Sequence, residues 1–314
     1  MVAMITTHDL TRLFDGRAVV SNVSLEVQAG EIYGFLGPNG SGKTTTIRML
    51  TGILPLSSGE ACVAGHDVRR HTQAVRSSVG VLPESSGYYG WMTPVEYLEF
   101  FAALYGLSGG DARARIAALL TSVGLAERQR TPIRTFSRGM RARLGIARAL
   151  THRPRVLFLD EPTLALDPMG QRDVLTLIAH VNRDDGTTVF LSSHALDQVK
   201  HVCHRVGILR DGHLVAQGAV PELAQRLGLP SVWRATVSNA DHATRIARQL
   251  PIVREVTVLD RDHVFVAPAD ELAGPEALIQ AWVVAGVAVR ELVVERPDLE
   301  QVFAALVRPG NTRS

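Results

Sequence analysis

The feature that most constrains this chain is a glycine-rich segment placed between a short apolar run and a helical stretch. Residues 37–44 read Gly-Pro-Asn-Gly-Ser-Gly-Lys-Thr, and the mostly apolar residues 31–36 precede them. The pattern G-x-x-x-x-G-K-[ST] in this context is typical of a loop whose backbone N–H groups surround phosphate oxygens. Its glycines allow the backbone to curl, and the following helix adds partial positive charge at its N-terminus. The segment predicts a parallel α/β sheet that binds a nucleoside triphosphate at one edge.

Each part of this segment has a predicted role. We expect Lys43 to bridge the terminal phosphates and the Thr44 hydroxyl to coordinate Mg²⁺. The predicted nucleotide-binding residues are Gly37, Pro38, Asn39, Gly40, Ser41, Gly42, Lys43, Thr44 and Thr45. The alternative is a glycine-rich turn capped by polar residues, and the strand-to-helix context argues against it.

Composition excludes several other classes of protein. With 46 % hydrophobic and 20 % charged residues the chain has a globular composition, and its net charge of +2 is too balanced for a protein whose main partner is a nucleic acid. Cys62 and Cys203 are the only cysteines, which excludes a disulfide scaffold. Residues 1–13 lack a secretory signal pattern, and the longest apolar runs fall short of the roughly 18 residues that cross a bilayer. We expect no membrane-spanning segment.

The chain alternates between short apolar runs and helical stretches as far as about residue 228, which is typical of an α/β sheet. The predicted strands are residues 31–36, 61–64, 79–82, 156–159, 188–191 and 205–209, and the predicted helices include residues 94–105, 111–123 and 139–150. Because these helices interrupt the strand pattern, we predict a helical insertion over about residues 84–150.

Gly228 and Pro230 mark a boundary, after which a second pattern begins. Its predicted strands are residues 231–237, 253–259, 263–267 and 288–294, and its predicted helices are residues 241–250, 275–287 and 297–306. This β-α-β-β-α-β order matches a ferredoxin-like fold, and it carries no catalytic constellation. We predict an α/β domain over residues 1–229, a small α+β ferredoxin-like domain over 230–308 and a loose tail over 309–314.

Polar residues follow two further apolar strands of the first domain. Asp160 and Glu161 come after residues 156–159, and His194 follows residues 188–191 by three positions. Ligands of open parallel sheets bind beyond the carboxyl ends of the strands. We expect Asp160 to hold the Mg²⁺ shell through water, Glu161 to act as the base for the attacking water and His194 to contact the γ-phosphate. A solvated turn and a hydrogen-bonded histidine are the alternatives, and the upstream phosphate loop argues against them.

His201, Cys203 and His204 raise the alternative of a metal site. Cys203 and His204 are expected to point in different directions on a helix, and no second ligand cluster accompanies them in the sequence. We therefore favour a structural role for these residues.

Several motifs, in this order, resemble the ATP-binding cassette (ABC) family over residues 3–228. Beside the phosphate loop and the strand ending in Asp160 and Glu161, they are residues 13–14 (aromatic A-loop), 136–140 (signature motif), 164–167 (D-loop) and 193–194 (switch region). Within the family the chain resembles ATPase subunits of bacterial drug, lipid and sodium exporters whose permease is a separate chain, and residues 297–303 are similar to the ending of that subgroup.

The resemblance implies a P-loop ATPase, with ATP and Mg²⁺ held between two copies packed head to tail. Ser137 and Gly139 of one copy would contact the ATP that lies on residues 37–45 of the other, and Phe14 would stack on the adenine. Asp167 belongs to the D-loop, and Glu84 stands at the Q-loop position, where it would accept from Mg²⁺-bound water. The implied partners are a second copy and a polytopic permease at the cytoplasmic face of the membrane, with no nucleic acid. Residues 88–91 would contact the permease or pack inside the insertion.

Three positions depart from the family pattern. Glu84 replaces the usual glutamine of the Q-loop, Arg138 replaces the first glycine of the signature and Met140 replaces its glutamine. We expect these three departures to be typical of the subgroup. We expect the activity to be drug or antibiotic efflux. The alternatives are a soluble ABC-type ATPase that acts on ribosomes or DNA, and a nucleotide sensor without turnover. The first usually has two cassettes or a coiled-coil arm, and Asp160, Glu161 and His194 together argue against the second.

Overall fold

The computed structural model describes residues 2–85, 87–269 and 274–307. The chain divides into two compact units, Met1–Ala219 and Val220–Ser314. The division falls earlier than the boundary at residues 229/230 that Gly228 and Pro230 predicted, because the helix Val220–Arg226 packs against the helix Leu299–Val307 of the second unit. The predicted tail, residues 309–314, lies outside the described residues.

The first unit contains most of the regular elements. Its strands are β1 (Ala3–Phe14), β2 (Arg17–Gln28), β3 (Ile32–Leu36), β4 (Ser58–Val63), β5 (His66–Asp67), β6 (Val79–Leu82), β7 (Val156–Asp160), β8 (Thr188–Ser193), β9 (Arg205–Arg210) and β10 (His213–Gly218). Its helices are α1 (Lys43–Leu50), α2 (Thr72–Ser78), α3 (Pro94–Leu104), α4 (Gly109–Ser122), α5 (Arg138–Ala149), α6 (Pro168–Asp185) and α7 (Leu196–Val199), with 3₁₀ turns at Ala126–Arg128 and Ile133–Thr135.

A six-stranded sheet in the order β10-β9-β3-β8-β7-β6 forms the centre of the first unit. All its neighbouring strands are parallel except the β9–β10 pair. Every residue of β3, β7 and β8 is buried, which explains why these strands read as continuous apolar runs. The ring of Phe190 contacts those of Tyr33, Phe35 and Phe158 across the strands. The predicted parallel α/β sheet is confirmed.

A second, antiparallel sheet in the order β2-β1-β4-β5 was only partly predicted. β4 contains most of the predicted strand 61–64, but the long strands β1 and β2 were missed. Their pairing has register shifts, and Asp9 and Asn22 within them have positive φ angles of 48° and 50°. These irregularities break the alternation of apolar and polar residues that marks a strand.

The predicted helical insertion consists mainly of α3, α4 and α5. α3 begins with a capping box: the Thr93 hydroxyl accepts from the Glu96 N–H (3.3 Å), and the Glu96 carboxylate accepts from the Thr93 N–H (2.8 Å). Tyr97 and Leu98 of α3 are buried, and α3 packs against both α4 and α5.

The second unit begins with a helix that was not predicted, Val220–Arg226, and the elements after it follow the predicted order. Its helices are α8 (Val220–Arg226), α9 (Ala240–Ala247), α10 (Glu276–Val284) and α11 (Leu299–Val307), and its strands are β11 (Val232–Val237), β12 (Val253–Val258), β13 (His263–Pro268) and β14 (Val289–Glu295). The sheet order is β12-β13-β11-β14, with all neighbours antiparallel. Trp233 and Trp282 are buried in its core, and Trp282 Nε1 donates to the carbonyl of Ala243 (2.8 Å).

No helix within residues 2–85, 87–269 and 274–307 combines the length and the apolar character that crossing a bilayer requires.

Candidate functional site

Three parallel strands bring the predicted site residues to one edge of the six-stranded sheet. β3 leads into the phosphate loop, β7 ends at Asp160 and β8 ends at Ser193. The ends are aligned, because Leu36 pairs with Ser193 and Asp160 pairs with Ser192. A cavity of about 500 Å³, a volume typical of small-molecule sites, opens here. It is lined by Val19, Asn39, Gly40, Gly42, Lys43, Thr44, Thr45, Glu84, Glu161, Leu164 and His194.

The glycines of the phosphate loop are required by its conformation. Gly40 and Gly42 have positive φ angles of 80° and 106°, and a Cβ atom at Gly42 would lie 2.8 Å from the carbonyl oxygen of Val19. A Cβ atom at Gly37 would collide with the carbonyl of Leu209. The Ser41 hydroxyl is buried and has no hydrogen-bond partner within the described part of the chain. The loop is therefore built for close approach of backbone, as a phosphate cradle requires.

The ammonium group of Lys43 lies at the centre of this loop. Its side chain is 6 % exposed, and Nζ donates to the carbonyls of Gly37 (2.8 Å) and Pro38 (3.2 Å). The same nitrogen is 3.5 Å from Oε1 of Glu161. A buried ammonium group is stabilised by hydrogen bonds and negative charge, so this position favours an anionic ligand.

Both the carboxylate and the backbone N–H of Glu161 make hydrogen bonds. Its carboxylate is 8 % exposed, and Oε2 lies 2.9 Å from Nδ1 of His194. Its backbone N–H is shared between the carbonyl (3.2 Å) and the hydroxyl (3.1 Å) of Ser192. The residue has a φ angle of 50°, which is strained for a non-glycine residue and is characteristic of functional sites. The structure thus brings Lys43, Glu161 and His194 into one network.

The predicted magnesium ligands lie beside this network. Asp160 is 3 % exposed, and its Oδ1 accepts a hydrogen bond from Ser192 Oγ (2.6 Å). Asp160 and Glu84 both line a neighbouring cavity, Glu84 lines the main cavity as well, and Thr44 lines the main cavity only. Carboxylate and hydroxyl oxygens are the ligands that Mg²⁺ prefers. No group of three His, Cys, Asp or Glu residues with metal-binding geometry occurs in the described ranges.

Two signature residues and Asp167 of the D-loop lie apart from the main cavity, although Leu164 of the D-loop lines it. Ser137, Gly139 and Asp167 line a separate cavity of about 340 Å³. Ser137 is the N-cap of α5, and its hydroxyl accepts from the N–H of Met140 (3.2 Å). Within one chain, the phosphate loop and the signature therefore form two distinct surfaces.

Phe14 lies at the end of the β1–β2 hairpin, apart from the residues that line the main cavity. Its side chain is 41 % exposed, it pairs with Arg17, and the Arg12 guanidinium lies 4.6 Å from the centre of its ring. Its assignment to adenine stacking stays a prediction.

Cys203 and His204 do not lie on a helix as predicted, because α7 ends at Val199; both residues make structural contacts just before β9. The Nδ1 atom of His204 accepts from the N–H of Ile32 (2.9 Å). Burial raises the pKa of the Cys203 thiol to about 12, so the thiol stays protonated at neutral pH. Its sulfur packs against Gly34, where a Cβ atom would lie 2.8 Å from it.

Sequence reasoning missed three contributors to the site: Val19, Leu164 and Ser192. Ser192 had a signal, since it directly follows the apolar strand residues 188–191. Leu164 lies in the predicted D-loop but had no assigned contact. No feature of the sequence indicated Val19, because it reaches the cavity through its position in β2, where its carbonyl lies beside Gly42.

Comparisons with known proteins agree with this geometry. The ABC transporter family profile matches residues 20–164. LnrL of Bacillus subtilis strain 168, a linearmycin resistance ATP-binding protein, is 33 % identical over 305 residues, which cover 96 % of this chain and 98 % of LnrL. DrrA of Streptomyces peucetius, a daunorubicin/doxorubicin resistance ATP-binding protein, is 34 % identical over 99 % of this chain and 94 % of DrrA.

A solved structure supports the same relationship. CbiO1 from Clostridium perfringens, part of the ABC transporter complex cbiONQ, has a TM-score of 0.65 and 26 % identity over 72 % of this chain and 92 % of that chain. The likeness covers the fold of the cassette, and the curated relatives extend over nearly the whole chain. This chain belongs to the ABC transporter family, as one of its ATP-binding subunits.

Proposed function

We propose that this chain binds ATP with Mg²⁺ in the cavity around Lys43 and hydrolyses it to power export through a separate membrane permease. The observation that carries the proposal is the contact between Lys43 and Glu161, 3.5 Å apart and both nearly buried beside the phosphate loop. The loop supplies a cation for the phosphates, and the strand end supplies a carboxylate for the water. These are the two requirements of triphosphate hydrolysis.

Each residue of the network has a role in the proposed reaction. Glu161 orients the attacking water and accepts its proton, and His194, hydrogen-bonded to Glu161, fixes the carboxylate and contacts the γ-phosphate. Lys43 binds the β- and γ-phosphates, which replace the carbonyls of Gly37 and Pro38 as its partners. Thr44, Asp160 and Glu84 would hold Mg²⁺, which when bound neutralises charge on the phosphates.

The separate position of the signature supports a homodimer. Ser137 and Gly139 lie at the exposed N-terminus of α5, in a different cavity from the phosphate loop. A helix N-terminus favours negative charge, so α5 of a second copy would bind the γ-phosphate from the opposite side. ATP would then bind the closed dimer more tightly than the open one, and hydrolysis would release it.

The insertion offers a surface for the permease. Tyr89, Trp91, Phe100 and Leu104 are 45 %, 69 %, 40 % and 68 % exposed, and the Tyr89 ring contacts those of Trp91 and Phe100. Tyr88, by contrast, packs inward, with its hydroxyl donating to the carbonyl of Arg141 (2.8 Å). An exposed apolar cluster on a soluble unit favours a protein partner, here the cytoplasmic loops of the permease at the inner face of the membrane.

Drug or antibiotic efflux is the proposed transport activity. LnrL and DrrA, which match nearly the full length of this chain, are resistance proteins for linearmycin and for daunorubicin and doxorubicin. These relationships favour transport over an ATPase that acts on ribosomes or DNA. The identity of the exported compound would be set by the permease.

The phosphate cradle can be tested with the two lysines of the chain. Lys43→Ala should weaken MgATP binding roughly ten- to a hundredfold, because charged hydrogen bonds to the phosphates are lost. Lys200→Ala, the matched control at the end of α7, should bind MgATP within about twofold of wild type. Calorimetric titration of the full chain measures both. Equal affinity in the Lys43→Ala and wild-type proteins would refute the site.

The partner can be tested by affinity purification from native membranes. We expect a polytopic membrane protein in stoichiometric amount with the tagged chain. Recovery of ribosomes or DNA in its place would support the alternative ATPase and reject transport.

A further inference from the structure

The turn that carries Glu161 is strained at two positions. Residues 161–167 connect β7 to α6, and both Glu161 (φ 50°) and Ala165 (φ 58°) adopt left-handed backbone conformations. Non-glycine residues persist in this region only when surrounding contacts hold them there. The contacts that hold this turn therefore determine where the Glu161 carboxylate lies.

Beyond the contacts of Glu161 with Lys43, His194 and Ser192, three further side chains from outside the turn contact residues 163–166. Thr163 Oγ1 donates to Oε1 of Gln198 in α7 (2.8 Å), and Nε2 of Gln171 in α6 donates to the carbonyl of Leu166 (3.0 Å). Nη1 of Arg138 donates to the carbonyl of Ala165 (3.4 Å). Of these three contacts, the one from Arg138 binds the carbonyl of Ala165, which is one of the two strained residues. Arg138 is the first residue of α5.

Arg138 also lies between the two surfaces that flank the turn. It lines the cavity that contains Asp160 and Glu161, and it lines the cavity that contains Ser137 and Asp167. Leu164, one residue before the carbonyl that Arg138 binds, lines the main cavity. A displacement of the N-terminus of α5 would thus reach Glu161 through Ala165 and Leu164.

We infer that Arg138 is a positioning residue for Glu161, acting through the carbonyl of Ala165 and the strained turn 161–167. The inference rests on the proposed role of Glu161 in hydrolysis. The contact connects the first position of the signature helix α5 to the turn that carries the Glu161 carboxylate.

The test compares three variants of the full chain. Arg138→Met keeps the length of the side chain but removes the donor, and it should lower kcat about three- to tenfold while KM for ATP stays within about twofold. Arg138→Lys, which retains a donor, should recover part of the loss. Arg183→Met is the control, because the exposed Arg183 near the C-terminal end of α6 pairs with Asp184 (2.9 Å), away from the turn and from both cavities. Its kcat should equal that of wild type.

A double-mutant cycle tests whether the effect passes through Glu161. In the Glu161→Gln background, Arg138→Met should change the residual rate by less than about twofold, since the carboxylate that it positions is gone. The inference is overturned if Arg138→Met leaves kcat unchanged, raises KM instead, matches Arg183→Met, or has its full effect in the Glu161→Gln background. Full activity of Glu161→Gln itself would instead refute the proposed function, so the two failures are distinguishable.

Discussion

Helices pack on a sheet in both units of this chain, but the candidate site lies at the edge of a sheet in the first unit. In the first unit β3, β7 and β8 are parallel, so their carboxyl ends bring Lys43, Glu161 and His194 together. In the second unit every neighbouring pair is antiparallel, so successive strands end at opposite edges. Strand direction therefore accounts for the meeting of these side chains in the first unit, an arrangement that the described strands of the second unit do not repeat.

The units differ in their interiors as well. The first unit buries Lys43 and Asp160, and it contains all the described non-glycine residues with positive φ, from Asp9 to Asp211. Among the described residues of the second unit, the buried side chains are apolar except for Thr244. Strain and buried polar groups destabilise a fold, so the positive φ angle of Glu161 and the burial of Lys43 and Asp160 mark residues retained for function.

The largest expected effect is on kcat, and a Glu→Gln substitution in each unit tests it. Glu161→Gln should lower kcat about 10²- to 10⁴-fold, because the amide cannot accept the proton of water, while MgATP binding persists and the dimer becomes stable. Glu295→Gln on β14 removes a partner of Arg234 (2.6 Å) on the partly exposed face of the second sheet and should leave kcat unchanged. Phosphate release and sedimentation measure the two effects. Wild-type hydrolysis in Glu161→Gln would remove Glu161 from the mechanism.

The second largest expected effect is on the stability of the second unit and leaves ATP binding unchanged. Trp282→Ala should destabilise the second unit by about 3–5 kcal/mol, because it leaves a large cavity and removes the bond to Ala243. MgATP affinity should not change, since the lining of the main cavity belongs to the first unit. Calorimetric unfolding and ATP titration test this, with Val283→Ala, 60 % exposed in the same helix, as control. A parallel loss of ATP affinity would contradict the separation of roles between the units.

The smallest effect compares two helix caps. Ser137 accepts from the Met140 N–H (3.2 Å) in the first unit, and Asn239 accepts from the His242 N–H (2.9 Å) in the second. Replacing either by alanine should cost about 1 kcal/mol of stability. Only Ser137→Ala should also weaken ATP-dependent dimerisation, measured by sedimentation in the Glu161→Gln background. Equal dimerisation of both variants would count against contact between the signature and the ATP of a second copy.

The fold was predictable where burial and periodicity agree. β3, β7 and β8 are covered on both faces and appear in the sequence as unbroken apolar runs. The elements of the second unit were predicted in the correct order because each strand there is bounded by turn residues. β1 and β2 were not, because their pairing depends on register shifts that have no local signal.

The site was predictable to the extent that it follows strand ends. That rule identified Asp160, Glu161 and His194, and the phosphate-loop pattern identified Lys43; the structure brings Lys43, Glu161 and His194 into contact. It could not identify the hydrogen bond between Ser192 and Asp160, which depends on the pairing of β7 with β8. It also could not identify the hydrogen bond from Arg138 to the carbonyl of Ala165, which depends on tertiary packing between α5 and the turn 161–167.

The division of the ATP-binding surfaces between two cavities has a consequence for energy use. If hydrolysis requires the loop of one copy and the signature of another, the rate of dilute chains depends on how often two copies meet. A permease that binds two copies side by side replaces these encounters by a fixed local concentration, commonly in the millimolar range for tethered partners. ATP would then be spent chiefly where a transport pathway is present, and free subunits in the cell would be nearly idle.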